Sequence, residues 1–161
     1  MKAIEEQLVE LLNKKGLHIS FAESCTAGLA AAKLVNASGA SAVLDASFIT
    51  YANEAKTKLV GVKKETLDAF GAVSEEVASQ MAKGAACAAG ADVGVGISGI
   101  AGPTGGTKEK PVGTVCFGFY TPAEHLAEKV VFENTGREGI RRAAVEYAFE
   151  RLISLLSKEP V

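Results

Sequence analysis

"DVGVGISGIAGPTGGTKEKPVGTVCFGFY", Asp92 to Tyr120, holds two apolar runs joined by a segment suited to neither helix nor strand. The first run, Asp92 to Ile100, is short, apolar and closed by glycine and proline, so it reads as a buried strand. The connection "AGPTGGTKEKPVG" carries four glycines and two prolines and is too irregular for a regular element. The second run, Gly113 to Tyr120, is β-branched and aromatic, hence a second strand. No helix lies between them, and Ala127 to Glu133 is the expected hairpin partner of the second. Direct strand pairing therefore dominates this half of the chain.

The first half alternates instead. Ile4, Leu8, Leu11 and Leu12 put one apolar stripe on a helix that Gly16 stops. Leu17 to Ala22 reads as a strand, Thr26 to Asn36 as a helix and Phe48 to Tyr51 as a strand. Asn53 to Leu59 and Lys64 to Phe70 read as short helices. Ser74 to Ala89 is a long helix, with Ser74 as its cap and Glu75 and Glu76 at the positive end of its dipole. A last long helix ends near Leu156, and "SKEP" reads as a loose tail. Early alternation and late direct pairing predict an α/β protein: a three-layer α/β/α sandwich with a mixed β-sheet. Residues 1–161 are expected to form a single domain.

Composition excludes several classes. Hydrophobic residues make up 48% and charged residues 22%, an ordinary soluble globular balance. The net charge of −2 gives no electrostatic case for nucleic acid or an acidic membrane surface. No run approaches the roughly 20 charge-poor apolar residues of a membrane span. The N-terminal segment carries charges throughout and has no apolar signal core. Cys25, Cys87 and Cys116 are odd in number and match no paired zinc spacing, which points to free thiols in a reducing cytoplasm. His18 and His125 have no ligand-like neighbours, so no metal is expected.

Four clusters carry chemistry. In "HISFAESCTAG" the expected strand ends near Glu23 and the helix begins near Thr26, so Ser24 sits where a helix start offers free N–H groups to an anion or oxyanion. The other reading is that Ser24 or Thr26 only caps the helix. In "TYANEAKTK", Tyr51 closes a strand and Lys56 follows five residues later. A lysine held against apolar surface loses its proton more easily and can act as a base toward a serine; a solvated lysine like Lys58 is the competing reading. "GISGIAGPTGGTKEKPVG" is neither a P-loop nor a dinucleotide fingerprint, because position 99 completes the G-x-G-x-x-G spacing inside a strand. Its glycine-rich amides can still wrap a phosphate, or the segment is only a flexible connection. In "TGREGIRR", Arg137, Arg141 and Arg142 open a helix against its dipole, which suits binding of a phosphate or carboxylate, or pairing with surface carboxylates.

Together, "AESCTAG", "FITYANEAKTKLVGV", "GAVSEEVA", "ISGIAGPTGGTKEKPVGTV" and "REGIRR" resemble, in order, the motifs of the CinA C-terminal domain family, over about Ile4 to Leu156. That family includes stand-alone nicotinamide-nucleotide amidohydrolases. The resemblance implies hydrolysis of nicotinamide mononucleotide to nicotinate mononucleotide and ammonia, in pyridine nucleotide recycling. It implies a cytoplasmic homodimer acting on a small-molecule nucleotide, with no cofactor or metal and no nucleic-acid or membrane partner. Carried onto this sequence, Ser24 is the nucleophile and Lys56 its base, with Tyr51 beside them. Thr26 and Gly28 would border the substrate, Glu23 would either touch the ribose or orient the turn, and Gly102, Thr104, Gly105, Gly106 and Arg137 would hold ribose and phosphate. Larger members carry a further domain of molybdopterin-binding type, whose activities are not carried over. Two positions depart from the family pattern: Ala27 replaces the first of a Gly-Gly pair, and Gly136 stands where an aspartate is usual. Alternative functions are a nucleotide-binding regulator without catalysis and an interaction partner of DNA-uptake or recombination proteins.

Overall fold

The computed structural model describes residues 1–158 and 160. Five strands form one sheet: β1 (Ile19–Glu23), β2 (Phe48–Ile49), β3 (Val93–Gly99), β4 (Thr114–Tyr120) and β5 (His125–Val131). Their spatial order is β2-β1-β3-β4-β5. β1 runs parallel to β2 and β3, whereas β3–β4 and β4–β5 are antiparallel. The helices are α1 (Ile4–Lys15), α2 (Leu29–Leu34), α3 (Asn53–Val60), α4 (Lys64–Phe70), α5 (Glu75–Ala89) and α6 (Arg137–Lys158). Among the described residues, no helix is long and apolar enough to cross a membrane.

Strand periodicity sorts the side chains into two cores. Ile19 and Phe21 of β1, Val93, Val95 and Ile97 of β3, and Val115, Phe117 and Phe119 of β4 share one core with Leu8 and Leu12 of α1 and Phe149 and Leu152 of α6. The opposite face packs Ala22 against Val77, Met81 and Ala85 of α5, with Val60 and Leu67 from α3 and α4. Helices thus cover both faces, giving the three-layer mixed α/β arrangement the sequence predicts. The glycines of β3 and β4 serve this packing. A Cβ on Gly94 would lie 1.9 Å from the Ala82 carbonyl oxygen, and one on Gly118 would lie 2.0 Å from that of Ala78. α5 rests on the strands at a distance only glycine permits.

Ser74 caps α5, accepting from the Val77 N–H. Several boundaries differ from expectation. α2 begins at Leu29 rather than near Thr26, because Ala27 (φ 45) and Gly28 (φ 96) are left-handed and stop a helix from running through them. β2 is shortened to Phe48–Ile49, and β5 begins at His125. α6 runs through Ser157 and Lys158, so the expected tail is partly helical; its Glu159 lies outside the described residues.

Candidate active site

The three parallel strands end their carboxyl termini together. From β1 the chain goes to β2 on one side, while β3 lies on the other, so the loops leaving β1 and β3 part and leave a crevice. A cleft of about 260 Å³ opens there, walled by Ser24 after β1, Tyr51 and Lys56 after β2, and Gly102, Thr104 and Gly105 after β3, with Arg137 of α6 alongside. Roomier grooves lie between α2 and α6 and beside α3 and α4, but neither is lined by a buried titratable group.

Lys56 is the unusual residue. It sits in the first half of α3 and is only 1% exposed. Its Nζ lies 3.1 Å from Ser24 Oγ, 2.8 Å from the Thr50 carbonyl oxygen and 3.1 Å from that of Tyr51. No carboxylate forms an ion pair with it among the described residues. Burial pulls its pKa below the 10.5 of a free lysine, because the ammonium form loses its hydration. The three partners fit both protonation states. An ammonium gives one proton to each. A neutral amine keeps two protons on the carbonyls and turns its lone pair to the Ser24 hydroxyl.

Ser24 is 9% exposed, and its own N–H donates to the Ile97 carbonyl at 2.9 Å, which fixes it to β3. Cys25 also lines the cleft, but burial pushes its thiol up to about 11, so it is protonated and unreactive near neutral pH. Tyr51 is 57% exposed. Its carbonyl accepts from Lys56, while its hydroxyl accepts from Arg137 Nη2 at 3.0 Å. Arg137 Nη1 also donates to the Gly102 carbonyl at 2.6 Å, joining α6 to the glycine-rich loop. In that loop, the N–H groups of residues 101, 102 and 104–106 find no intramolecular acceptor among the described residues.

Four expected substrate contacts lie off the cleft. Glu23 is 1% exposed and its carboxylate is occupied: Oε1 accepts from the Ala30 N–H at 2.8 Å and Oε2 from the Ala31 N–H at 3.1 Å. It caps α2 from the end of β1, so the amides expected to meet an anion at that helix start are already satisfied, and neither Ser24 nor Thr26 is the cap. Thr26 is fully buried, Gly28 packs toward Ile49, and Gly106 packs against Val112. None of the four lines the cleft.

Other residues entered without a sequence signal strong enough to single them out. Ser98 lines the cleft and donates from Oγ to the Ala72 carbonyl at 2.7 Å, pinning the "GAVS" segment. Counting in steps of two from Gly94 places it on the α5 side of β3, which was the available clue. Asn53 lines the cleft as well. Of the remaining arginines, Arg142 pairs with Glu138, and Arg141 donates to the carbonyls of Cys25 and Thr26. Among the described residues, no three His, Cys, Asp or Glu side chains are placed to hold a metal ion.

Comparison with known proteins connects this geometry to a family. A sequence model of the CinA C-terminal domain matches residues 1–156. A CinA-like protein of Kosmotoga olearia is 52% identical over 149 residues, 92% of this chain, which spans only 36% of that relative's length. The nicotinamide-nucleotide amidohydrolase PncC of Escherichia coli is 46% identical over 92% of this chain and 90% of its own. Among solved structures, the competence/damage inducible protein CihA of Agrobacterium tumefaciens superposes with a TM-score of 0.88 at 42% identity, covering 96% of this chain and 97% of that one. A CinA superfamily protein of Klebsiella pneumoniae gives 0.92 at 33% identity, covering 97% of each.

Proposed function

Because the chain belongs to the CinA C-terminal domain family, we propose that it is an amidohydrolase converting nicotinamide mononucleotide to nicotinate mononucleotide and ammonia through Ser24 and Lys56. The observation that carries this reading is the buried Lys56 amine, 3.1 Å from a serine hydroxyl and held otherwise by two carbonyls. Burying a lysine without a carboxylate costs free energy, and a base that must be neutral near physiological pH accounts for that cost.

The neutral amine takes the Ser24 proton as Oγ attacks the carboxamide carbon, giving a tetrahedral intermediate. On collapse the C–N bond breaks, and Lys56 returns its proton to the leaving nitrogen, releasing ammonia. Water then attacks the acyl-Ser24 ester, giving up a proton to Lys56. Cleavage of the ester restores the Ser24 hydroxyl and yields the carboxylate product. The substrate phosphate lies against Arg137 and the unpaired amides of the 101–106 loop, which suit an anion. Tyr51 acts through its carbonyl on Lys56 and its hydroxyl on Arg137. The protein works as a cytoplasmic homodimer without nucleic acid; its unpaired cysteines suit a reducing compartment. A regulator that only binds nucleotide has no need of the buried amine.

The test is product analysis. Purified protein with nicotinamide mononucleotide should release ammonia and nicotinate mononucleotide in equal amounts over many turnovers. Tight binding of the unchanged nucleotide would instead establish the regulator.

A further inference from the structure

Arg141 stands one turn after Arg137 on the same face of α6, yet it is used differently. Its Nε donates to the Cys25 carbonyl at 2.8 Å and its Nη2 to the Thr26 carbonyl at 3.0 Å. No carboxylate pairs with it among the described residues. The Nε–Nη2 edge of the guanidinium is spent on two successive carbonyls directly after Ser24, across more than a hundred residues of sequence.

That turn is held at few other points. The Ala27 N–H donates to the Ser24 carbonyl and the Leu29 N–H to that of Thr26. Between these bonds sits Ala27 at φ 45, the one non-glycine residue with positive φ among the described residues. A backbone strained in this way persists only where its surroundings over-determine it. Arg141 supplies the surroundings, being the only partner of the Cys25 carbonyl among the described residues. The turn also carries an available donor. Cys25 lines the cleft, follows Ser24 directly, and its N–H reaches no acceptor among the described residues but the thiol of its own residue, whereas the Ser24 N–H is taken by Ile97.

We propose that Arg141 is a positioning residue that clamps the Cys25–Thr26 carbonyls so that the Cys25 amide meets the oxyanion formed when Ser24 is attacking a carbonyl or phosphoryl centre. This rests on Ser24 being the nucleophile of the reading above. An oxyanion donor works because its position is set before charge develops. The guanidinium sets it through the backbone without touching substrate. Arg137 and Arg141, a turn apart, therefore divide the labour: one holds the ligand, the other holds the turn that reacts.

Arg141→Met and Arg141→Lys separate this from a structural role. Two rates are read: turnover of nicotinamide mononucleotide, and inactivation by a small alkyl fluorophosphonate, which phosphonylates Ser24 with loss of fluoride and needs no nucleotide site. Arg141→Met should lower kcat by roughly 100-fold, the loss seen when one oxyanion donor is misplaced. KM should stay unchanged, and phosphonylation should slow in parallel. Arg141→Lys, which keeps the charge and one donor, should recover part of both rates. If Arg141→Met does not fold, Arg141→Lys alone decides: a slowed phosphonylation in a natively folded variant supports the clamp. A raised KM with unchanged kcat, or a lowered melting temperature with both rates intact, would overturn it. If the wild type ignores the nucleotide but its phosphonylation depends on Arg141, the substrate reading fails and the clamp stands.

Discussion

Replacing Glu23 by glutamine asks whether the residue before Ser24 belongs to the substrate site or to the scaffold. In the structure both carboxylate oxygens are occupied, one by the Ala30 N–H at 2.8 Å and one by the Ala31 N–H at 3.1 Å, with the residue 1% exposed. Glutamine is nearly the same shape, so packing is preserved. It keeps one acceptor but presents an NH₂ to the second N–H, so one charge-assisted hydrogen bond is lost and a buried donor is left unmet. Such a bond contributes about 1.5–3 kcal/mol. The negative charge at a helix N-terminus adds up to about 1 kcal/mol more. The expected loss is therefore roughly 2–4 kcal/mol, or roughly 5–15 °C in melting temperature for a domain of this size. Thermal unfolding followed by circular dichroism measures it, and KM for the mononucleotide, taken well below the transition, should not change. An unaltered melt with a severalfold higher KM would refute the capping role and return Glu23 to the substrate.

The remaining predictions concern the cleft and its turn. Because burial lowers the Lys56 pKa, its neutral form gains population as pH rises toward a value below 10.5. Thus kcat/KM should climb with pH and level off before that point. Lys56→Arg should abolish turnover at every pH, since guanidinium stays protonated, while Lys58→Arg stays active; equal activity of the two would remove Lys56 as the base. Arg137→Ala should weaken the mononucleotide by roughly 1.5–3 kcal/mol and leave nicotinamide riboside unaffected, as competition binding would show. Equal penalties on both would make this arginine structural. Ala27→Gly relieves a left-handed alanine worth roughly 1–2 kcal/mol of strain, part of which returns as unfolded-chain entropy. A small rise in melting temperature is expected, and a fall would show that the alanine methyl contributes packing.

The sheet was legible because strand and helix periods are local properties. β3 and β4 announce themselves by apolar runs around an irregular loop, and α5 by its Ser74 cap. The start of α2 was not legible, since "CTAG" is compatible with helix by composition. What stops the helix is a left-handed pair at Ala27 and Gly28, which directly follows the two carbonyls that accept from Arg141 of α6. Arg141 read with Arg137 and Arg142 as a partner for a phosphate or a carboxylate, because nothing local in the sequence shows that two distant backbone carbonyls take its donors. Glu23 could not be assigned by sequence between touching the ribose and orienting the turn, and only the fold shows both oxygens turned to α2. Lys56 was hard to separate from Lys58 by sequence. They sit two positions apart on α3, roughly 200° around the helix, so one enters the cleft wall as the other faces solvent. Gly94 and Gly96 of β3 match the start of a dinucleotide spacing that the sequence does not complete at a helix, and their place in the fold is to admit α5.

The central claim is that Ser24 performs the attack that Lys56 prepares. Ammonia release from nicotinamide mononucleotide by Ser24→Ala, compared with wild type at equal concentration of folded protein, tests it most directly. Removing the hydroxyl leaves Lys56 its two carbonyl partners and leaves Glu23 on α2, so the fold should persist. The account predicts an unchanged melting temperature, retained nucleotide binding and loss of nearly all turnover. Ammonia release near the wild-type rate from folded Ser24→Ala protein would contradict it.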